Sequence, residues 1–260
     1  MNRFPVMCGA WLIFCVKKWD ASTGAKILCP DQARVGESIR VESDLSVRQN
    51  RIHIPGEWKK HQPGSENMII GIEGSPRKGG NSHTMLKEIL AGAQEAGQTC
   101  RDVHLRDCRY EPCVGCEKCR KDKICTRFQD GMTLLYPQLQ EAKGLVLISP
   151  VHNYNVTAWM KAFIDRLYCF YNFENTRPRA WSSQLAGQGR KAVIAAIAEQ
   201  EHEKDMGFAM DAMRLPLEAL GYEVVTELPV LRLFDRGIIR DHAELMEQAR
   251  RAGRTLAEAL

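Results

Sequence analysis

The chain has 260 residues, 44% of them apolar and 26% charged, which is ordinary for a soluble globular protein with room for one domain and an appendage. A net charge of only +4, with no Lys/Arg-rich block, argues against a nucleic-acid partner held through phosphates. No apolar run reaches the ~18–20 residues that span a bilayer. The longest, Phe4 to Val16, is followed by Lys17, Lys18, Trp19 and Asp20 and lacks a cleavage pattern, so a cytoplasmic protein with no membrane partner is expected.

Residues 1–67 hold that short apolar run and then a polar, turn-rich stretch without a sustained period. They read as an irregular, poorly ordered N-terminal extension, and Cys8, Cys15 and Trp11 form no recognised ligand set. The pattern becomes regular at Met68. Met68 to Ile72 is a short apolar run, as in a strand buried on both faces. A Gly-rich loop follows, then a predicted helix from Thr84 to Ala96 stopped by Gly97, and a second strand from Thr99 to Leu105. A cysteine-rich loop (108–127) precedes a helix over Met132 to Glu141, a strand over Gly144 to Ser149 and a helix over Thr157 to Tyr171. Lys191 to Ile197 and Tyr222 to Val230 are the last two strands, and Asp205 to Leu220 and Asp241 to Leu260 the last two helices. Strand and helix alternate five times, so residues 68–260 are expected to form an α/β domain: a flavodoxin-like, doubly wound, five-stranded parallel sheet with the cysteine loop inserted. Such a sheet holds its ligand beyond the carboxyl ends of its strands.

The loop after the first strand reads Gly74-Ser75-Pro76-Arg77-Lys78-Gly79-Gly80-Asn81-Ser82-His83-Thr84. A loop between a buried strand and a helix start can aim several backbone N–H groups at one anion, with the helix dipole adding to the attraction. Ser75, Ser82 and Thr84 offer hydroxyls, Asn81 an amide and Arg77 a charge suited to phosphate. The bland alternative is a turn that only caps a helix. The loop lacks both the Gly-Lys-Ser/Thr ending of a triphosphate loop and G-x-G-x-x-G.

Gly-Ser-Pro-Arg-Lys-Gly-Gly-Asn-Ser resembles the FMN phosphate loop of the NADPH-dependent FMN reductase family, with Gly80 among its members. The resemblance continues through Pro150, Val151, His152, Asn153, Tyr154 and Asn155 after the third strand, and through Lys161 to Arg166. It implies that the first loop holds the FMN phosphate and that the 150–155 turn lies along the isoalloxazine ring. His152 stands where the family usually has Tyr, which leaves stacking there open, with Tyr154 nearby. Ordinary packing is the competing role for Tyr154 and the favoured one for Trp159. The family also implies NAD(P)H as a donor and a homo-oligomer, a dimer or tetramer.

Cys113, Cys116, Cys119 and Cys125 have the spacing C-x2-C-x2-C-x5-C, four of the ten cysteines in thirteen positions. Such crowding fits a metal or cluster in a reducing compartment better than bridges. Four thiolates from different directions suit a cubane cluster, and Gly115 eases the turn between two of them. The arrangement resembles the iron–sulfur flavoprotein branch of the same family, which implies a 4Fe–4S cluster. Zinc and an unmetallated loop remain as alternatives, and Cys108 lies near enough to compete as a ligand. Cys100 and Cys169, in regular elements, are expected to be buried. Lys118, Arg120, Lys121, Lys123 and Arg127 make the loop basic, either a solvated face or a dock for an acidic carrier such as a ferredoxin. The expected function is an FMN-dependent oxidoreductase passing electrons from a ferredoxin-like carrier or NAD(P)H to a small acceptor. An FMN or quinone reductase without a cluster, and a redox sensor without turnover, are the alternatives.

Overall fold

The computed structural model describes residues 68–260, together with the backbone of one antiparallel pair, Met7–Cys8 with Trp11–Leu12. The expectations for the rest of 1–67, Cys15 included, lie outside the described residues, as do the side chains of Cys8 and Trp11.

Five parallel strands form the sheet: β1 (Ile69–Glu73), β2 (Cys100–His104), β3 (Gly144–Pro150), β6 (Lys191–Ile197) and β7 (Glu223–Val230). Their spatial order is β2-β1-β3-β6-β7. β1 is buried throughout, as its unbroken apolar run implied. Successive side chains alternate between two cores. Ile70, Ile72, Leu145 and Leu147 face α3 (Gly131–Glu141), α4 (Ala158–Arg166) and α5 (Ala209–Leu220). Ile69, Val146 and Ile148 face α1 (Asn81–Glu95) and α6 (Ala243–Glu258). Each fully buried aliphatic side chain contributes about 1.5–3 kcal/mol.

α1 and α6 cross at backbone contact. A Cβ on Gly253 would stand 1.8 Å from the Ile89 carbonyl oxygen, and one on Gly92 2.0 Å from that of Arg250. Only glycine allows this approach.

All five strands lie within a residue or two of expectation, and four helix boundaries move for identifiable reasons. α1 starts at Asn81, three residues early, with Gly80 as its cap. α4 ends at Arg166, and Leu167–Phe170 tighten into a 3-10 turn that buries Leu167, Cys169 and Phe170. Before α5, Glu203–Met206 forms a separate 3-10 turn. Gly207 then breaks the helix at φ +57°, where a Cβ would stand 2.3 Å from the Tyr154 carbonyl oxygen. At the carboxyl end, α6 covers only Ala243–Glu258, after a 3-10 turn over Ile238–Asp241.

Two short elements escape the sequence pattern. β4 (Tyr171–Phe173) and β5 (Trp181–Ser183) pair as an antiparallel hairpin, and α2 (Cys119–Asp122) is a single turn inside the cysteine loop. Trp159 corrects an expectation: it is 40% exposed. The inward stripe of α4 is Met160, Phe163 and Ile164, and Trp159 falls one position off it. Among the described residues, no helix is long and apolar enough to cross a membrane.

Candidate functional site

The strand order reverses at β1, with β2 on one side and β3 on the other. The carboxyl ends of β1 and β3 therefore open a crevice, and the two loops singled out in the sequence meet there. Thr157 ties them together. Its hydroxyl donates to the Gly74 carbonyl oxygen at 2.7 Å, and accepts the Met160 N–H at 3.2 Å as the cap of α4. Its own N–H donates to Ser149 Oγ at 3.1 Å.

The crevice encloses a cavity of about 150 Å³. Ser75, Arg77, Gly80, Asn81, Ser82, Pro150, Val151 and His152 line it. Gly80 provides no side-chain cap and the first turn of α1 has no acidic residue, so first-turn N–H groups and the positive dipole end face an uncompensated space. Ser75 Oγ accepts the Arg77 N–H at 3.1 Å, which curls the loop. The Arg77 guanidinium donates to the Phe234 carbonyl oxygen at 2.8 Å and lies 4.8 Å from the Phe234 ring centroid. Asn81 has a positioning part: it donates to the Asp235 carbonyl oxygen at 3.0 Å and accepts the Ile239 N–H at 3.3 Å.

Four expected residues do not line the cavity. Thr84 is buried in the first turns of α1, with its hydroxyl unpartnered. Asn153 and Tyr154 are the central pair of a tight turn at φ +49° and +65°, closed by paired hydrogen bonds between His152 and Asn155. That is the geometry of a primed hairpin turn. Asn155 accepts the Val156 N–H at 2.8 Å, and Tyr154 projects outward, 61% exposed. Conversely, Glu199, Gln200, Leu233, Phe234 and Arg236 line the cavity from the loops after β6 and β7. No local motif marks them; the rule that ligands sit beyond strand carboxyl ends is the signal that finds them.

Cys113, Cys116, Cys119 and Cys125 line a second cavity of about 370 Å³. Gly115 at φ +63° and Glu117 at φ +58° reverse the chain between successive cysteines. Burial raises the Cys119 thiol, and its neighbours Cys125, Cys113 and Cys116 add to the rise. Among the described residues, no three of their sulfurs come within 4.8 Å of one another. Thiolates on one zinc ion would stand only about 3.8 Å apart, given Zn–S bonds of ~2.3 Å.

The wall behind them is built around Arg166, whose side chain is 1% exposed. Its guanidinium makes a two-pronged pair with Asp130 at 2.7 and 3.1 Å and donates to the Glu111 carbonyl oxygen at 2.7 Å and Tyr136 Oη at 3.1 Å. Asp130 also caps α3 in a capping box with Thr133. The outer side is pinned to the β4–β5 hairpin. Arg120 donates to Tyr168 Oη at 3.0 Å and lies over the Phe173 ring, and Lys123 donates to Asn172 Oδ1 at 2.8 Å.

The remaining described cysteines do not line this cavity, although Cys169 lies near Cys119 and Cys125. Cys169 is buried as expected, whereas Cys100 is half-buried. Burial raises the Cys108 and Cys169 thiols to about 12 and Cys100 to about 11. Cys108 does not line the cavity, and its thiol points to the His104 carbonyl oxygen at 3.4 Å.

A doubly wound sheet of order 2-1-3-4-5, with a glycine-rich strand–loop–helix junction at its switch point, defines a flavodoxin-like protein. The chain belongs to the NADPH-dependent FMN reductase family, which matches residues 68–217. Its curated relatives carry the name of one branch. An iron–sulfur flavoprotein of Archaeoglobus fulgidus is 40% identical over 99 residues, 38% of this chain and 50% of the relative. One of Methanosarcina thermophila is 35% identical over 98 residues, 38% of this chain and 51% of the relative. The chain thus spans about half the length of the curated relatives it matches. The fold is shared with an NAD(P)H:quinone oxidoreductase from Methanothermobacter marburgensis, with a TM-score of 0.56 at 20% identity over 74% of this chain and 100% of that one. An FMN-dependent NADH-azoreductase from Bacillus anthracis gives 0.55 at 15% identity over 74% of this chain and 100% of that one.

Proposed function

We propose that the chain is an FMN-dependent oxidoreductase that also carries a 4Fe–4S cluster on Cys113, Cys116, Cys119 and Cys125. The observation that carries this reading is that the four cysteines line one cavity, on a chain of the FMN reductase family whose curated relatives are named iron–sulfur flavoproteins. Bound FMN supplies two-electron and one-electron exchange and a cluster supplies one-electron exchange, so the pair suits a protein between a hydride or ferredoxin-like donor and a small acceptor.

The residues fit the flavin. Ser75 and Ser82 offer hydroxyls and the uncapped start of α1 offers N–H groups to the phosphate, with Arg77 supplying charge from the rim. Gly80 lets the chain pass close to the anion, and Asn81 holds the facing 235–239 segment in place. Pro150, Val151 and His152 form the wall for the ring, and Asn153, Tyr154 and Asn155 set the turn that presents them. Thr84 backs the loop from within the helix.

The residues also fit a cluster. The four cysteines line one cavity from both ends of the loop, and its wall is set by the buried Arg166, whose charge is paired with Asp130. Exposed Lys118, Lys121 and Lys123 give that end a basic surface for an acidic carrier. The free state of all seven described cysteines supports a reducing, cytoplasmic setting, and the family supports a homo-oligomer.

Replacing Cys116 tests the division of labour. Cys116→Ser is expected to lose iron and sulfide while keeping FMN, because no cysteine lines the flavin crevice. Reduction by a one-electron donor should then collapse, and direct reduction by NADPH should persist in part. Unchanged iron in Cys116→Ser, or joint loss of iron and FMN in soluble protein, contradicts the assignment.

A further inference from the structure

One group of side chains belongs to neither cavity. Glu73, the last residue of β1, lies in register with His104, the last residue of β2, and His83 reaches the same point from the first turn of α1. One ligand atom from each of the three lies within 4.8 Å of the other two. We propose that Glu73, His83 and His104 form a binding site for a divalent transition-metal ion such as zinc, separate from the cysteine loop.

Two imidazoles and a carboxylate are a donor set for zinc and its first-row neighbours. Glu73 is fully buried, and its Oε1 has no hydrogen-bond partner. Leaving a carboxylate oxygen unpaired in the interior is unfavourable, and a metal ion would satisfy it. His83 Nδ1 is buried without a hydrogen-bond partner, 3.6 Å from Glu73 Oε2. The two rings lie 4.9 Å apart, centroid to centroid.

The outer layer matches a metal site as well. Asp102 Oδ2 stands 2.8 Å from His104 Nε2, which leaves Nδ1 directed at Glu73. A carboxylate on the far nitrogen orients and strengthens a metal-binding histidine. Arg106 Nη1 donates to Glu73 Oε2 at 2.8 Å and so fixes the carboxylate. Lys87 pairs with Asp102 at 2.8 Å. These two cations oppose an incoming dication, so the site should bind zinc more weakly than a closed four-ligand site. The side chains of His83 and His104 are 26% and 19% exposed, which gives a solvent path to an open coordination position.

The competing state is an ion network in which a charged His104 ring is shared by Glu73 and Asp102. Zinc alone separates the two. The full chain, with its FMN and cluster, is dialysed against a chelator and titrated with zinc in competition with a chromophoric chelator. Saturable uptake of one equivalent is expected, retained in a Cys113→Ser/Cys116→Ser variant and weakened about 10–100-fold by His83→Ala. His83 is partly exposed on a helix, so that variant should fold. In crystals of the wild type, a zinc-edge anomalous peak should lie among Glu73, His83 and His104, a readout that needs no substitution. Uptake unchanged by His83→Ala, no saturable uptake, or a peak confined to the cysteine loop would overturn the site and leave the ion network as the role of these residues.

Discussion

Thr157 shows how much of the crevice between β1 and β3 depends on one hydroxyl. It is 2% exposed, joins the phosphate loop to α4 and caps that helix in the same contact. Thr157→Val keeps the shape and removes the bonds, leaving the Gly74 carbonyl and the Met160 N–H without their partner. A loss of about 1–3 kcal/mol is expected. It should be read as a lowered unfolding midpoint together with a weaker FMN dissociation constant. A variant with unchanged FMN affinity would mean that the two loops hold their places independently. At this scale the sequence showed chemistry better than geometry. Ser75, Arg77 and Ser82 could be grouped from the sequence because a strand–loop–helix junction brings such residues to one place, and they line one cavity. Tyr154 was misleading, because its turn places an aromatic outward at positive φ, a conformation composition does not reveal. The Glu73–His104 contact was invisible, since it joins residues 31 apart through strand register. Burial works against a charged His104 ring, but hydrogen bonds and charge from Asp102 and Glu73 outweigh it and raise the group to about 9. Burial lowers His83, with Glu73 opposing.

Among the elements, the cysteine loop is held by its neighbours rather than by its own secondary structure. Its one helical turn, α2, buries no residue, and the loop leans on α3, α4 and the β4–β5 hairpin. Asp130 is the joint, because it caps α3 and neutralises buried Arg166. Asp130→Ala removes the cap and strands a buried guanidinium, so a destabilisation of about 3–5 kcal/mol is expected. Chemical denaturation should show it, with the cysteine cavity losing iron before the flavin is released. Asp130→Asn keeps a capping side chain and should lose less. Equal losses in the two variants would mean that the charge, not the cap, is what matters. Three strands, β1, β3 and β6, were readable as near-continuous apolar runs, whereas β2 and β7 carry charged residues and were readable from their place between turn signals. The hairpin was not, because Tyr171–Phe173 and Trp181–Ser183 are three residues each and the first follows the Leu167–Phe170 3-10 turn directly. Its aromatic side chains serve the loop: Phe173 stacks on Tyr168 and lies under Arg120.

For the whole molecule, every strand of the parallel sheet and both cavities lie between Met68 and Leu260. Deleting residues 1–60 is therefore expected to leave folding and FMN content unchanged. Loss of flavin from a soluble truncated chain would give the N-terminal segment a part in the site. The central claim is that one chain holds a flavin and a cluster on separate segments. The most direct test is the iron, sulfide and FMN content of the full chain purified without oxygen. About four iron and four sulfide per chain are expected, as a cubane cluster requires, with one FMN. Stoichiometric zinc, or no metal with all four loop thiols free to react, would contradict it.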